Sequence, residues 1–137
     1  MERRRNEVRI LVVEDDMASR KFLAKFLSQY GDVDMVVDGL EALDAYLLSV
    51  KDDQLYDLIC LDIMMPKVDG VKVLRAIRDY EISRGVLPEK RVKVIMTTAL
   101  QETEMVQQSF EIGCEAYAAK PINIEKLKLV MEKLGLI

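Results

Sequence analysis

Tyr56-Asp57-Leu58-Ile59-Cys60-Leu61-Asp62-Ile63-Met64-Met65-Pro66 is an apolar run that stops on a carboxylate and enters a Pro-bearing loop. Residues 57–61 read as a buried strand, and Asp62 stands at its carboxyl end. A fully buried strand gains nothing from a terminal Asp unless something binds there. In parallel α/β sheets, ligands sit in the crevice at the carboxyl ends of the strands. The fold and the candidate site are both read outward from this stretch.

On the amino-terminal side, Val8 to Val13 is a β-branched run with the character of a central strand. Ala18 to Tyr30 follows as a helix, with Phe22, Leu23, Phe26 and Leu27 on one stripe and Gly31 as its cap. Asp34 to Val37 reads as a short strand, and Leu40, Leu43 and Leu47 mark a second helix. On the carboxyl side, a third helix opens near Gly70 with Val71, Leu74 and Ile77. The segment Arg78 to Arg91 is long for a connection, which favours extension of that helix to about Ser83, with a loop over Ser83 to Lys90. Lys93 to Thr97 is a fourth strand, Glu104 to Ile112 a fourth helix, and Ala116 to Ala119 a fifth strand. A fifth helix over Ile124 to Leu134 carries Leu127, Val130, Met131 and Leu134 at helical spacing. Five alternating strand–helix pairs give a parallel sheet covered on both faces. The expected architecture is a flavodoxin-like (βα)5 three-layer sandwich with strand order 2-1-3-4-5. The expectation is one domain over residues 1–137, with its core from about 8 to 134.

Composition removes whole classes of function. The net charge is −4, so the chain has no global electrostatic footprint for nucleic acid. Arg3-Arg4-Arg5 is too short a run to replace one, and direct DNA binding is not expected. No apolar stretch approaches the roughly 20 residues of a membrane helix, and no signal peptide is visible. Cys60 and Cys114 lack metal-ligand spacing and read as small buried hydrophobes of a reducing, cytoplasmic protein. Eight Met residues fill gaps in a core without Trp. Histidine is absent, which excludes His-based triads, His zinc sites and His phosphoacceptors.

Glu14, Asp15 and Asp16 directly follow the first strand, which neighbours the third in the 2-1-3-4-5 order. Three or four carboxylates, Asp62 among them, therefore converge at one edge. Like charges at that spacing raise each other's pKa values, and a divalent cation relieves them. Hard oxygen ligands with room for water and phosphate oxygens suit Mg²⁺, and without His the set points to phosphoryl chemistry. Thr98 brings a hydroxyl to the same edge from the fourth strand, and Lys120, followed by Pro121, brings a point charge from the fifth.

Val12-Val13-Glu14-Asp15-Asp16, Leu61-Asp62-Ile63-Met64-Met65-Pro66 with Asp69-Gly70, Met96-Thr97-Thr98-Ala99 and Ala119-Lys120-Pro121 together resemble the receiver domain of bacterial two-component response regulators, the CheY-like family. The resemblance spans about Val8 to Leu134. It implies that Asp62 is the phosphoacceptor, attacking a phosphohistidine on a sensor histidine kinase or a histidine phosphotransfer protein. It implies that Glu14, Asp15, Asp62 and the Met64 backbone carbonyl hold Mg²⁺. Thr98 and Lys120 would contact the phosphoryl group, Pro121 would follow a cis peptide bond, and Thr98 with Tyr117 would form the switch. The output surface would be the fourth helix, fifth strand and fifth helix, which also offers a route to a homodimer. Such a protein catalyses its own phosphorylation and dephosphorylation but is a signalling switch, not a turnover enzyme. Two positions, Met64 and Leu100, are apolar where the family flanks the phosphoryl group, and they are expected to shield an acyl phosphate from water.

Other classes fit less well. An aspartyl-phosphate hydrolase needs a second acid two residues after its nucleophile, and Met64 stands there. A flavodoxin-like cofactor binder needs a Ser/Thr/Gly-rich phosphate loop where this chain has Glu14-Asp15-Asp16. An unphosphorylated receiver used only for contact has no need of an intact acid set. The favoured reading is a stand-alone receiver acting through a protein partner, either as a phosphorelay intermediate or as a terminal effector.

Overall fold

A computed structural model describes residues 8–99 and 103–137. The order along the chain is β1 (Val8–Val13), α1 (Met17–Leu27), β2 (Gly31–Val36), α2 (Gly39–Lys51), β3 (Leu58–Asp62), α3 (Gly70–Ser83), a 3-10 turn at Pro88–Lys90, β4 (Lys93–Thr98), α4 (Thr103–Ile112), β5 (Ala116–Ala119) and α5 (Ile124–Lys133). The five strands form one parallel sheet in the order β2-β1-β3-β4-β5. The expected flavodoxin-like architecture is the observed one. Arg3-Arg4-Arg5 and Leu100 lie outside the described residues.

Strand residues alternate between two cores. Leu11, Val13, Ile59, Leu61, Val94 and Met96 pack with Ala42, Tyr46, Val73, Leu74 and Ile77 from α2 and α3. Ile10, Val12, Leu58, Cys60 and Ile95 face the other way, onto Leu23, Phe26 and Leu27 of α1 and Leu127 and Met131 of α5. β3 is buried along its whole length because it is central and covered on both faces. Cys60 and Cys114 are free and buried, as expected.

A helix must satisfy its first backbone N–H groups, and for α1, α2, α3 and α5 residues of the strand-to-helix loops do this. Asp16, Asp38, Asp69 and Asn123 accept from the N–H of Ser19, Glu41, Lys72 and Lys126 at 2.8, 2.9, 3.0 and 3.0 Å. The carboxyl edge of the sheet is therefore polar for two separate reasons, capping and chemistry.

Several local expectations are corrected. α1 stops at Leu27 with Ser28 as its cap, and Gly31 opens β2 instead of closing the helix. A Cβ on Gly31 would overlap the Val8 carbonyl oxygen across the β1–β2 pair. β2 is an edge strand with half its residues exposed, so its first residues carry no apolar signature. Phe22 is 49% exposed, and in α2 Leu40 and Leu47 are 49% and 46% exposed. The interior face of α2 is Ala42, Tyr46 and Ser49, and of the three leucines that mark the helix only Leu43 packs against the core. α3 does extend to Ser83, and the loop beyond it closes through Gly85 at φ +70° and the 3-10 turn.

One buried ion network ties α3 to the sheet. Arg78 donates to Glu81 at 2.7 Å, to Glu115 at 2.9 Å and to the Gly113 carbonyl at 3.0 Å. Backbone donors complete the network: the second oxygen of Glu81 accepts from the Val92 N–H at 2.9 Å, and Glu115 Oε1, already bound to Arg78, also accepts from the Val94 N–H at 2.6 Å. Burial raises the Glu115 carboxyl, and Arg78 opposes that rise.

Candidate functional site

β1 delivers Glu14 and Asp15, β3 delivers Asp62, and the turn after β5 delivers Lys120. Glu14 and Asp62 are buried, and Asp15 is exposed. Single oxygens of Glu14, Asp15 and Asp62 lie within 4.8 Å of one another. Lys120 Nζ sits 2.7 Å from Glu14 Oε1 and 3.3 Å from Asp62 Oδ2, so one ammonium faces two buried carboxylates. The Met64 N–H donates to Asp62 Oδ1 at 3.3 Å, which puts the Met64 backbone against the phosphoacceptor candidate.

Charge balance sets the proton affinities. Burial pushes the Asp62 carboxyl up to about 7, helped by the neighbouring Glu14 and opposed by Lys120. Burial acts on Glu14 in the same direction. Its bond to Lys120 and the Asp16 N–H donating at 3.1 Å outweigh that, and Glu14 lies below its ordinary value. Lys120 would be lowered by burial, yet Glu14 and Asp62 together hold it above its ordinary value. One lysine is thus insufficient for the acidic set, and Asp62 carries the deficit.

The loops are locked from several sides. Arg20 donates to the Glu14 carbonyl at 3.0 Å and to the Asp15 carbonyl at 3.4 Å, fixing the acidic turn after β1. Gly70 N–H donates to the Ile63 carbonyl at 2.8 Å, and a Cβ on Gly70 would overlap the Asp62 carbonyl oxygen. Lys67, at φ +69° in the loop after β3, reaches Asp38 after β2 at 3.1 Å. Thr98 ends β4 in a buried position, one residue beyond Thr97, the register partner of Asp62. Its hydroxyl donates to the Ala99 carbonyl at 3.0 Å, and its own carbonyl accepts from the Lys120 N–H at 2.7 Å. The Lys120–Pro121 bond is cis. Tyr117 is 49% exposed and packs edge-on against Phe110 of α4, with ring centroids 6.1 Å apart.

A family model for the response regulator receiver domain matches residues 10–132. The chain belongs to the response regulator receiver family. The match covers β1 to α5, and every motif residue quoted from the sequence lies within it. Over 93% of its length this receiver domain is 33% identical to the transcriptional regulatory protein CiaR of Streptococcus pneumoniae, and it spans 51% of that protein. It is 30% identical to the chemotaxis protein CheY of Treponema pallidum, covering 93% of this chain and 80% of that one. The receiver domain of the Francisella response regulator 1452 superposes with a TM-score of 0.73 at 29% identity, covering 93% of this chain and 96% of that one. The receiver thus spans about half of the regulator it matches and most of the chemotaxis protein.

The structure brings Glu14, Asp15, Asp62, Met64 and Lys120 together, as expected. It does not bring Asp16 into the acidic set, because that carboxylate is spent on capping α1. The roles of Arg20, Lys67 and Asp38 were not legible, since each depends on a contact between loops that spacing does not encode. The donor set fits a hard divalent cation: three carboxylates, two of them buried, with one ammonium between them and one carboxyl raised toward 7. Among the described residues, no helix is long and apolar enough to cross a membrane.

Proposed function

We propose that this receiver domain is a phosphorylation switch in which Asp62 accepts a phosphoryl group, with Mg²⁺ held by Glu14, Asp15, Asp62 and the Met64 carbonyl. The convergence of Glu14, Asp15 and Asp62 with Lys120 at one sheet edge carries this reading. The donor is a phosphohistidine on a sensor histidine kinase or a phosphotransfer protein. An Asp62 oxygen forms the new P–O bond, the P–N bond breaks, and its electron pair stays on the imidazole nitrogen, which takes up a proton. Mg²⁺, when bound, neutralises charge on the phosphoryl oxygens as they approach the carboxylates.

Lys120 already touches the Asp62 oxygen and pairs with a phosphoryl oxygen as charge develops there. The Thr98 hydroxyl exchanges its bond to the Ala99 carbonyl for one to the phosphoryl group. That group adds about −1.5 to −2 charges, enough to bias a packing equilibrium. Movement of Thr98 opens room for the Tyr117 ring, and the α4–β5–α5 surface then signals to a protein partner or pairs with a second copy. The chain acts in the cytoplasm as a switch, not as a turnover enzyme.

Intact mass after treatment with acetyl phosphate and Mg²⁺ tests the reading. One phosphoryl group should be gained, and none by Asp62→Asn or in excess EDTA. Uptake that persists in Asp62→Asn, or continuous phosphate release from varied phosphoesters, would overturn it.

A further inference from the structure

The sheet edge opposite Asp62 carries a second concavity. A groove of about 840 Å³ opens there between α2, the end of α3 and the connection into β4. Tyr56, Asp57, Val92 and Lys93, at the starts of β3 and β4, lie along it. Tyr46 and Tyr80 form an aromatic wall, edge-on to each other at 5.9 Å. Leu47 and Leu55 stand exposed at its lip. The volume is at the upper end of what ligand sites occupy, and the lining is the mixture of rings, aliphatics and a few polar groups that such sites use.

Its charge runs against the rest of the molecule. The chain carries −4 overall, yet Lys51, Arg84, Lys90, Arg91 and Lys93 all line this groove. Three carboxylates line it too, and two are engaged. Glu81 is buried against Arg78 and the Val92 N–H, and Asp57 accepts from the Arg9 N–H at 2.8 Å. A backbone N–H does not cancel the Asp57 charge, so Asp57 and Glu89 stand against five cations, and the lining is still net positive. The cations come from α2, the end of α3 and the segment into β4. Several cations lining one groove with aromatic and leucine side chains match a protein segment with carboxylates between apolar anchors.

We infer that this groove docks an acidic segment of a partner protein, one carrying Leu or aromatic anchors between Asp and Glu residues. The site is separate from the phosphoacceptor, since β3 puts Leu58 and Asp62 roughly 13 Å apart along the strand. Glu81 in its wall is held by Arg78, which also binds Gly113 and Glu115 just before β5.

A random twelve-residue peptide library panned against the full chain tests this. Recovered peptides are then titrated, with amide shifts read by NMR, against the chain, Asp62→Asn and the double variant Lys51→Glu, Lys90→Glu. Both lysines are exposed, so the double variant folds as the parent does. Recovered sequences should be net acidic with apolar anchors and should shift Lys51, Tyr80 and Val92. Affinity should fall at least tenfold in the double variant and stay unchanged in Asp62→Asn. That last result separates this site from the phosphorylation reading. Failure to enrich any sequence, enrichment of basic or neutral peptides, or shifts centred on Asp62 would overturn the inference. So would a salt-sensitive dimer, or binding to phosphatidylserine vesicles, that the double variant abolishes, since the groove would then serve a second copy or a membrane.

Discussion

At the scale of single residues, Asp62 carries the most consequence. Its carboxyl sits near 7 in the fold against an ordinary 3.8, because burial and Glu14 outweigh Lys120. Between those two values the folded chain holds a proton that the unfolded chain has lost. Metal-free stability therefore falls as pH rises from about 4 to about 7 and levels off above that. Glu14 and Lys120 do not blur this window. Glu14 is shifted below 4.5 and loses its contribution only as pH falls further, while Lys120 is shifted above 10.5 and loses its own only in strong base. In EDTA at pH 8, Asp62→Asn should be more stable than the parent by on the order of 2 kcal/mol in urea melts, and the advantage should vanish near pH 4. Equal slopes for parent and variant would remove the claim. Mg²⁺ bound as proposed would have to displace the same proton, so its stabilisation of the parent in thermal melts should be larger at pH 8 than at pH 6. Met64, apolar and 54% exposed beside Asp62, belongs to the same scale. Met64→Gln, alone or with Leu100→Gln, should shorten the acyl phosphate half-life several-fold by admitting water, as followed by intact mass over time. The acidic residues and Lys120 were legible because each ends a strand in a motif. Whether Asp16 joined them stayed open in the sequence, because a capping Asp and a metal-binding Asp look alike there.

At the scale of elements, Arg78 decides how α3 meets β4 and β5. It is buried in the middle of a helix and spends its guanidinium on Glu81, Glu115 and the Gly113 carbonyl. Arg78→Met removes the cation and leaves Glu81 buried with a charge and only a backbone N–H for company. The expected loss is about 3–5 kcal/mol in urea denaturation at pH 7, the range found when one partner of a buried pair is deleted. Adding Glu81→Gln and Glu115→Gln should recover much of it; no recovery would mean that packing, not charge, sets the cost. None of this network is visible in the sequence, where residues 78, 81, 92, 113 and 115 carry no shared pattern. Helix and strand order, in contrast, was legible from β-branched runs and helical spacing. The errors fell on β2 and α2, where an edge strand and a half-exposed helix loosen the link between apolarity and burial. Gly31 is the sharpest case: it is glycine because of the Val8 backbone, not because of a helix end.

At the scale of the molecule, the two sheet edges differ in how they could be read. The carboxyl edge is written in short motifs that each follow a strand. The groove on the other edge draws on residues from Tyr46 to Leu136, and only the folded chain assembles them. The helices also differ in how firmly they are held, and this bears on where a switch can act. α3 buries six residues, including Val73, Leu74 and Ile77, whereas α4 buries Ser109 alone. Local opening is cheapest where few side chains are buried. Tyr117 touches this weakly held helix through Phe110 and leads along β5 to Lys120. Phosphorylation at Asp62 should therefore change hydrogen exchange in α4 and β5 several-fold and leave α2 and α3 unchanged. Thr98→Ala should still accept the phosphoryl group by intact mass yet lose the exchange response, if Thr98 couples charge to repacking as proposed. Tyr117→Ala should lose the response in the same way while its phosphorylation rate stays near that of the parent. An exchange change spread evenly over all five helices, or one that survives Thr98→Ala, would show that the signal leaves the site by another route.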